Sequence, residues 1–180
     1  MTLAEIRAAS NPTTFPVERL AGMKTAAAFY CAAFHGRQDV IHLVDAGLVV
    51  VGVDTDEAKL EEMQRIYGPR PGFDGQLVDA FVAARSEARM ERRHDVVTVD
   101  PWTQDIPAVM DRLDVFAAIA GRLLVAGVSR QWMEGRGLSY TGGDLQLWTV
   151  ARALPLRVVE LRERSNHLGG IAWGVWEVTR

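Results

Sequence analysis

Between residues 25 and 128 the chain alternates short apolar runs with segments of helical periodicity, and this alternation narrows the choice of fold most sharply. The run Ala26-Ala27-Ala28-Phe29-Tyr30-Cys31, closed by the turn-like Phe34-His35-Gly36, reads as a strand buried on both faces. Residues 37–46 then place Val40, Ile41 and Val44 on one helical face, with Gly47 as a C-terminal stop. A second buried strand follows over 48–53, and Asp56 is placed to cap a helix over 57–67 in which Leu60, Met63 and Tyr67 recur at helical spacing. Gln76-Leu77-Val78 offers a short third strand before a helix over 81–90. Residues 96–99 form a firmer fourth strand, ended by Asp100-Pro101 because proline cannot continue a central ladder. Helical sequence over 105–120 leads into a fifth strand over 123–128. Strands separated by helices pair in parallel, since each crossover must pass over one face of the sheet. The expectation is an α/β fold with a mostly parallel sheet and helices on both faces.

The remainder closes that sheet. Residues 129–143 form a loop carrying Arg130, Trp132, Arg136 and Tyr140, placed to cover a site or touch a substrate, and 145–153 read as a helix. Two last strands, 156–164 and 171–179, are joined by a loop suited to an antiparallel hairpin. Trp173 and Trp176 fall on opposite faces of the final strand, one expected in the core and the other open to a partner surface. Ahead of all this, Thr2 and Glu5 have capping-box spacing and Pro16 is placed to open a short helix ending near Gly22, so residues 1–22 read as a helical extension of a domain over 23–180. With 180 residues, 48% of them hydrophobic, the chain has room for one core. Cys31 is the single cysteine, which excludes an internal disulfide and a cysteine-built zinc site, and no metal site is expected. A net charge of -3 argues against broad affinity for phosphate backbones. Without a membrane-length apolar run, no membrane partner is expected and the chain reads as cytoplasmic.

In sheets of this kind ligands lie beyond the carboxyl ends of the strands, where strand order reverses. Asp54, after the second strand, is placed to accept two hydrogen bonds from a ribose diol; its plainer role is to cap the next helix, which Asp56 can do instead. Asp79, after the third, is placed to accept from an adenine amino group with Phe81 as an apolar wall, although local pattern alone favours a helix cap. After the fourth come Asp100, Pro101 and Trp102: an acid, a rigid turn and a large aromatic. Stacking on Trp102 would hold a flat group while Asp100 or a backbone carbonyl accepts from an amino group; alternatively Trp102 packs over the sheet edge and Asp100 caps the next segment. Cys31 reads as a small apolar filler.

Over residues 25–180 the order of elements and the residues at their ends together resemble the class I S-adenosylmethionine-dependent methyltransferases. Val49-Val50-Val51-Gly52-Val53-Asp54-Thr55-Asp56 is similar to that family's second-strand motif, Val78-Asp79-Ala80 to its adenine-contacting motif, and Asp95-Val96-Val97-Thr98-Val99-Asp100-Pro101-Trp102 to its fourth-strand motif. The resemblance implies a seven-stranded, Rossmann-like, mostly parallel sheet ending in an antiparallel hairpin. It implies S-adenosylmethionine as cofactor, bound by Asp54 at the ribose and by Asp79 and Ala80 at the adenine. Ala33, His35 and Gly36 would form the turn after the first strand, and Asp100, Pro101 and Trp102 the reacting loop. The sequence departs from the family at the first strand's end, where Phe29 or Tyr30 stands in place of an acid and Ala33-Phe34-His35 in place of Gly-x-Gly. Two function classes follow. One is a methyltransferase acting on a small molecule, nucleic acid or protein, with an amino group as the finer expectation. The other is a catalytically inactive relative serving as an interaction or assembly module, as a homo-oligomer or with a protein partner.

Overall fold

The computed structural model describes residues 5, 14–32, 34–68, 72–164 and 170–180, with the side chains of 34–38 excepted. Seven strands form one sheet: β1 (Thr25–Phe29), β2 (Val49–Asp54), β3 (Phe73–Leu77), β4 (His94–Val99), β5 (Ala120–Ser129), β6 (Leu156–Glu163) and β7 (Ile171–Val178). Their spatial order is β3-β2-β1-β4-β5-β7-β6, parallel except for β7, which runs antiparallel to both neighbours. The order reverses between β1 and β4, whose Phe29 and Val99 are paired in register, and beyond the carboxyl ends of strands at such a point is where a ligand crevice is expected.

Helices cover both faces. On one side α1 (Phe34–Asp45) and α2 (Glu57–Tyr67) bury Val40, Ile41, Leu43, Leu60, Met63 and Tyr67 against the even-numbered alanines of β1. On the other, α3 (Ala80–Arg89), α4 (Ile106–Asp111), α5 (Leu113–Ile119), α6 (Arg130–Glu134) and α7 (Gly142–Ala151) pack over Ala27, Phe29 and Val97. Small residues on β1 let both helical layers approach the central strand closely. Gly52 in β2 makes room for a ring: a side chain there would run into Phe73 of the neighbouring strand.

Several boundaries differ from expectation for physical reasons. β3 begins at Phe73, earlier than its short apolar run indicates, because at the sheet edge Asp74 and Gly75 need no burial on both faces. The helix after β1 starts at Phe34, so the chain turns at Tyr30, Cys31 and Ala32, and Gly36 lies inside the helix. The helical stretch after β4 is a 3-10 turn (Thr103–Asp105) followed by α4 and α5, which meet at Arg112. The loop after β5 contains α6, whose first turn is capped by Ser129 accepting from the Trp132 backbone N–H. Pro16 opens a 3-10 turn, Val17–Leu20, in place of an α-helix. The Thr2 capping-box expectation and most of the 165–170 hairpin loop lie outside the described residues.

β7 corrects the expectation of a tryptophan at a partner surface. Trp173 and Trp176 are both fully buried, one in each core, because helices or the 14–20 segment cover both faces of this interior strand. Trp176 donates its indole N–H to Thr149 Oγ1 at 3.1 Å, and Thr149 donates to the Leu145 carbonyl at 2.7 Å. Phe15 meets Trp173 edge-on at 5.9 Å and stacks on His42 at 5.7 Å, seating the early segment on the last hairpin.

Candidate active site

Four strand ends converge on the crevice. At the end of β2 the Asp54 carboxylate accepts from the backbone N–H of Thr55 (2.8 Å) and Asp56 (3.1 Å) through Oδ1 and from Ala32 N–H (2.9 Å) through Oδ2. The last of these ties β2 to the turn after β1. A carboxylate offers about four acceptor positions, so three bonds leave room for about one more partner. Asp56 caps α2 by accepting from Lys59 N–H at 3.1 Å, so the two acids divide the roles of strand end and helix cap.

Asp79 caps α3, its Oδ1 accepting from Phe81 and Val82 N–H at 3.0 Å each. Ala80 is buried in the first turn of that helix, and Phe81 tilts against Phe116 at 5.2 Å. Ala33 and the His35 side chain lie outside the described residues, as does whatever surrounds Gly36 within α1.

Tyr30 is the residue whose position sequence reading left unsettled. Phe29 ends β1 facing the core, meeting Phe116 edge-on at 5.1 Å, and Tyr30 follows with a left-handed backbone, φ 58°. A non-glycine residue there costs about 1–2 kcal/mol, which the turn absorbs where a glycine would adopt it freely. The half-buried Tyr30 ring packs against the core beneath α3 to α5. Burial, together with the negative charges of Asp105, Asp79 and Asp54, pushes its phenol up to about 12. The charges of all three acids thus bear on one phenol.

After β4 the geometry is different. Asp100 is 3% exposed and its carboxylate receives both Arg164 guanidinium nitrogens, at 2.6 and 3.2 Å. The guanidinium lies 3.9 Å over the Trp173 ring. Asp39 of α1, 4% exposed, joins the cluster beside Asp100, and its Oδ2 has no donor among the described residues. Burial, then the charge of Asp100, raises the Asp39 carboxyl well above the usual range, with Arg164 acting in the opposite direction. Arg164 takes two of the roughly four acceptor positions of the Asp100 carboxylate, and the buried pair anchors the loop from beneath. Pro101 is buried behind it, and Trp102 projects into solvent, 48% exposed. Neither Asp39 nor Arg164 stood out in the sequence. The signal for Asp39 is its i,i+4 spacing from Leu43, a buried member of the same helix.

Beyond β5 two adjoining cavities of about 840 and 540 Å³ share Thr103, Ser129, Gln131 and Gly135. They connect the loop after β4 to α6. Cys31 is buried against the space left by Gly52, and burial raises its thiol, as suits an apolar filler. Among the described residues no group of three or more His, Cys, Asp or Glu side chains is arranged to hold a metal ion, and no helix is long and apolar enough to cross a membrane.

A seven-stranded sheet in this order, with one reversed strand inserted next to the last and acids at the ends of β2 and β3, is the class I methyltransferase fold. Among solved structures, the chain is similar to the fibrillarin pre-rRNA processing protein of Methanococcus jannaschii, with a TM-score of 0.65 and 12% identity over 97% of this chain and 73% of that one. It is also similar to the N-methyltransferase NodS of Bradyrhizobium japonicum WM9 (TM-score 0.60, 11% identity, 91% and 93% covered). A third similar structure is the 16S rRNA methylase ArmA (TM-score 0.54, 12% identity, 98% and 83% covered). No family model and no curated protein matches the sequence.

Proposed function

We propose that the chain is an S-adenosylmethionine-dependent methyltransferase, with the cofactor at the ends of β1 to β3 and the methyl acceptor beside the loop after β4. The observation that carries this reading is the placing of Asp54 and Asp79 at the ends of β2 and β3, beside the point where strand order reverses, with Asp105 near enough for its charge to bear on Tyr30 there. Three carboxylates suit a ligand bearing a sulfonium and an ammonium group, and the residues present fit such a ligand. When bound, S-adenosylmethionine supplies an electrophilic methyl carbon. Asp54 holds the ribose diol with its remaining acceptor position, and its bond to Ala32 fixes the turn beneath. Asp79 turns its second oxygen to the adenine amino group, while Ala80 and Phe81 wall the ring. The methionine end falls to Ala33, His35 and Gly36 on the sequence resemblance alone. Across the crevice, Asp100 and Pro101 position the reacting loop, and Trp102 presents a flat face to the acceptor. With the Asp100 carboxylate engaged by Arg164, an acceptor amino group finds its hydrogen-bond partner in a backbone carbonyl of this loop. Alignment and exclusion of water, with little acid or base chemistry, are what such a transfer asks of the protein.

Calorimetric titration with S-adenosylmethionine and its demethylated product tests the reading. Binding is expected, weakening on Asp54→Asn; absence of heat and of thermal stabilisation at millimolar ligand refutes it. One observation favours a second reading, an inactive fold relative acting as an interaction or assembly module: Tyr30, with its left-handed backbone, puts a phenol ring at the end of the first strand, where the resembled family has an acid. That reading requires wild-type protein to ignore the cofactor, Tyr30→Ala to recover binding, and light scattering to reveal an oligomer or a partner complex.

A further inference from the structure

We infer that the double cavity beyond β5 is a subsite for an oxyanion, and hence that the methyl acceptor is a small molecule carrying a carboxylate or phosphate; this rests on the reading of the crevice as a methyl-acceptor site. The two ends of the crevice differ in charge. Asp54 and Asp79 stand at the ends of β2 and β3, whereas the β5 end is lined by Arg130, Arg136, Gln131 and Gln104, with Glu134 as its one acid among the described lining residues. The groups that face the cavity are thus mainly donors.

How each of them is engaged sharpens the point. Arg136 is committed, paired with Asp111 and lying 4.7 Å over the Trp132 ring. Arg130 is held in place but weakly paired. Its stem packs where Gly170 lacks a side chain, its guanidinium lies 4.6 Å over the Tyr140 ring, and its contact with Glu134 is a long 3.8 Å between exposed groups. An exposed pair of that length yields readily to a better-placed oxyanion. Ser129 Oγ accepts from the Trp132 backbone N–H, which leaves the hydroxyl hydrogen to be donated outward. The Trp132 indole N–H, on a side chain only 3% exposed and lining the smaller cavity, has no acceptor among the described residues, and neither has the buried Tyr140 hydroxyl. Burial, first, and Glu163 hold the Tyr140 phenol up to about 12, so it remains a donor at any physiological pH. A ligand oxyanion in this space would meet Arg130 and the Ser129 hydroxyl, with Trp132 in the lining as a reporter. Concavity and the net charge of -3 favour a small molecule over a nucleic-acid backbone.

The test uses the full chain, labelled with ¹⁵N and free of cofactor, titrated separately with benzoate, phenyl phosphate and benzylamine. At least one anion is expected to shift the Trp132 indole N–H and the amides of 129–136, and the tighter of the two names the oxyanion. Benzylamine is expected to leave these signals in place. Arg130→Gln is expected to weaken anion binding roughly tenfold or more, the scale of a lost charge-assisted hydrogen bond, while the rest of the spectrum stays dispersed. Neither anion shifting these signals, or benzylamine shifting them as strongly, overturns the inference. So does a short single-stranded oligoribonucleotide that shifts them when both small anions fail. Because the cofactor plays no part, failure here leaves the titration with S-adenosylmethionine standing, and failure there leaves this result standing as an anion site.

Discussion

Two carboxyl groups, Asp39 and Asp100, face one guanidinium, Arg164, in a volume nearly closed to water. One negative charge there has no partner unless a proton is retained, and burial places that proton on Asp39. In the unfolded chain the same carboxyl ionises at about 3.9. From that value up to the raised value of the folded state, the native protein holds one proton more than the unfolded chain. Stability therefore falls with rising pH, by roughly 1.4 kcal/mol per pH unit at most. The loss is absent below the unfolded value and complete above the folded one. Asp39→Asn preserves the shape and supplies a permanent N–H donor toward Asp100, so it removes this dependence. Urea unfolding of both proteins from pH 5 to pH 8 measures the difference directly. Glu18, whose carboxyl Arg162 holds below its ordinary range, contributes stability that is lost in acid; it does so in both proteins and cancels. The variant's advantage should grow with pH until Asp39 ionises in the native state. Parallel stability curves for the two proteins would refute the shared-proton account.

Other perturbations probe the framework. Thr149→Val leaves the buried Trp176 indole N–H without its acceptor, and denaturant unfolding should register a loss of about 1–3 kcal/mol. Asp79→Ala removes the cap of α3 at about 1 kcal/mol, most of which Asp79→Ser should restore in a thermal melt. Gly52→Ala drives a methyl group against Phe73 and should destabilise the protein by about 1–3 kcal/mol in the same assay, with Phe73→Leu in the same chain relieving part of it.

The sheet was legible in the sequence because each interior strand is an apolar run bounded by turn chemistry, and because Asp54, Asp79 and Asp100 fall where those runs stop. What stayed hidden arises from distance along the chain. Arg164 meets Asp100 across 64 positions, and nothing local to either residue foretells the pairing. The edge position of β3, which permits Asp74 and Gly75 inside a strand, is likewise a property of the assembled sheet. At the site, the sequence placed an aromatic where an acid was expected after β1. The left-handed backbone of Tyr30 became visible only with the turn in place, since a left-handed tyrosine has no compositional signature.

The insertion of β7 between β5 and β6 bears on how the protein can be made. During synthesis from the N-terminus, β6 emerges with no neighbour to bond, and each core is short of one tryptophan, Trp176 or Trp173, until β7 clears the ribosome. A nascent chain halted before Ile171 would display an unpaired edge on β5 and an orphaned β6. Completion of the fold therefore waits on the last strand, and prematurely terminated products should be substrates for proteolysis.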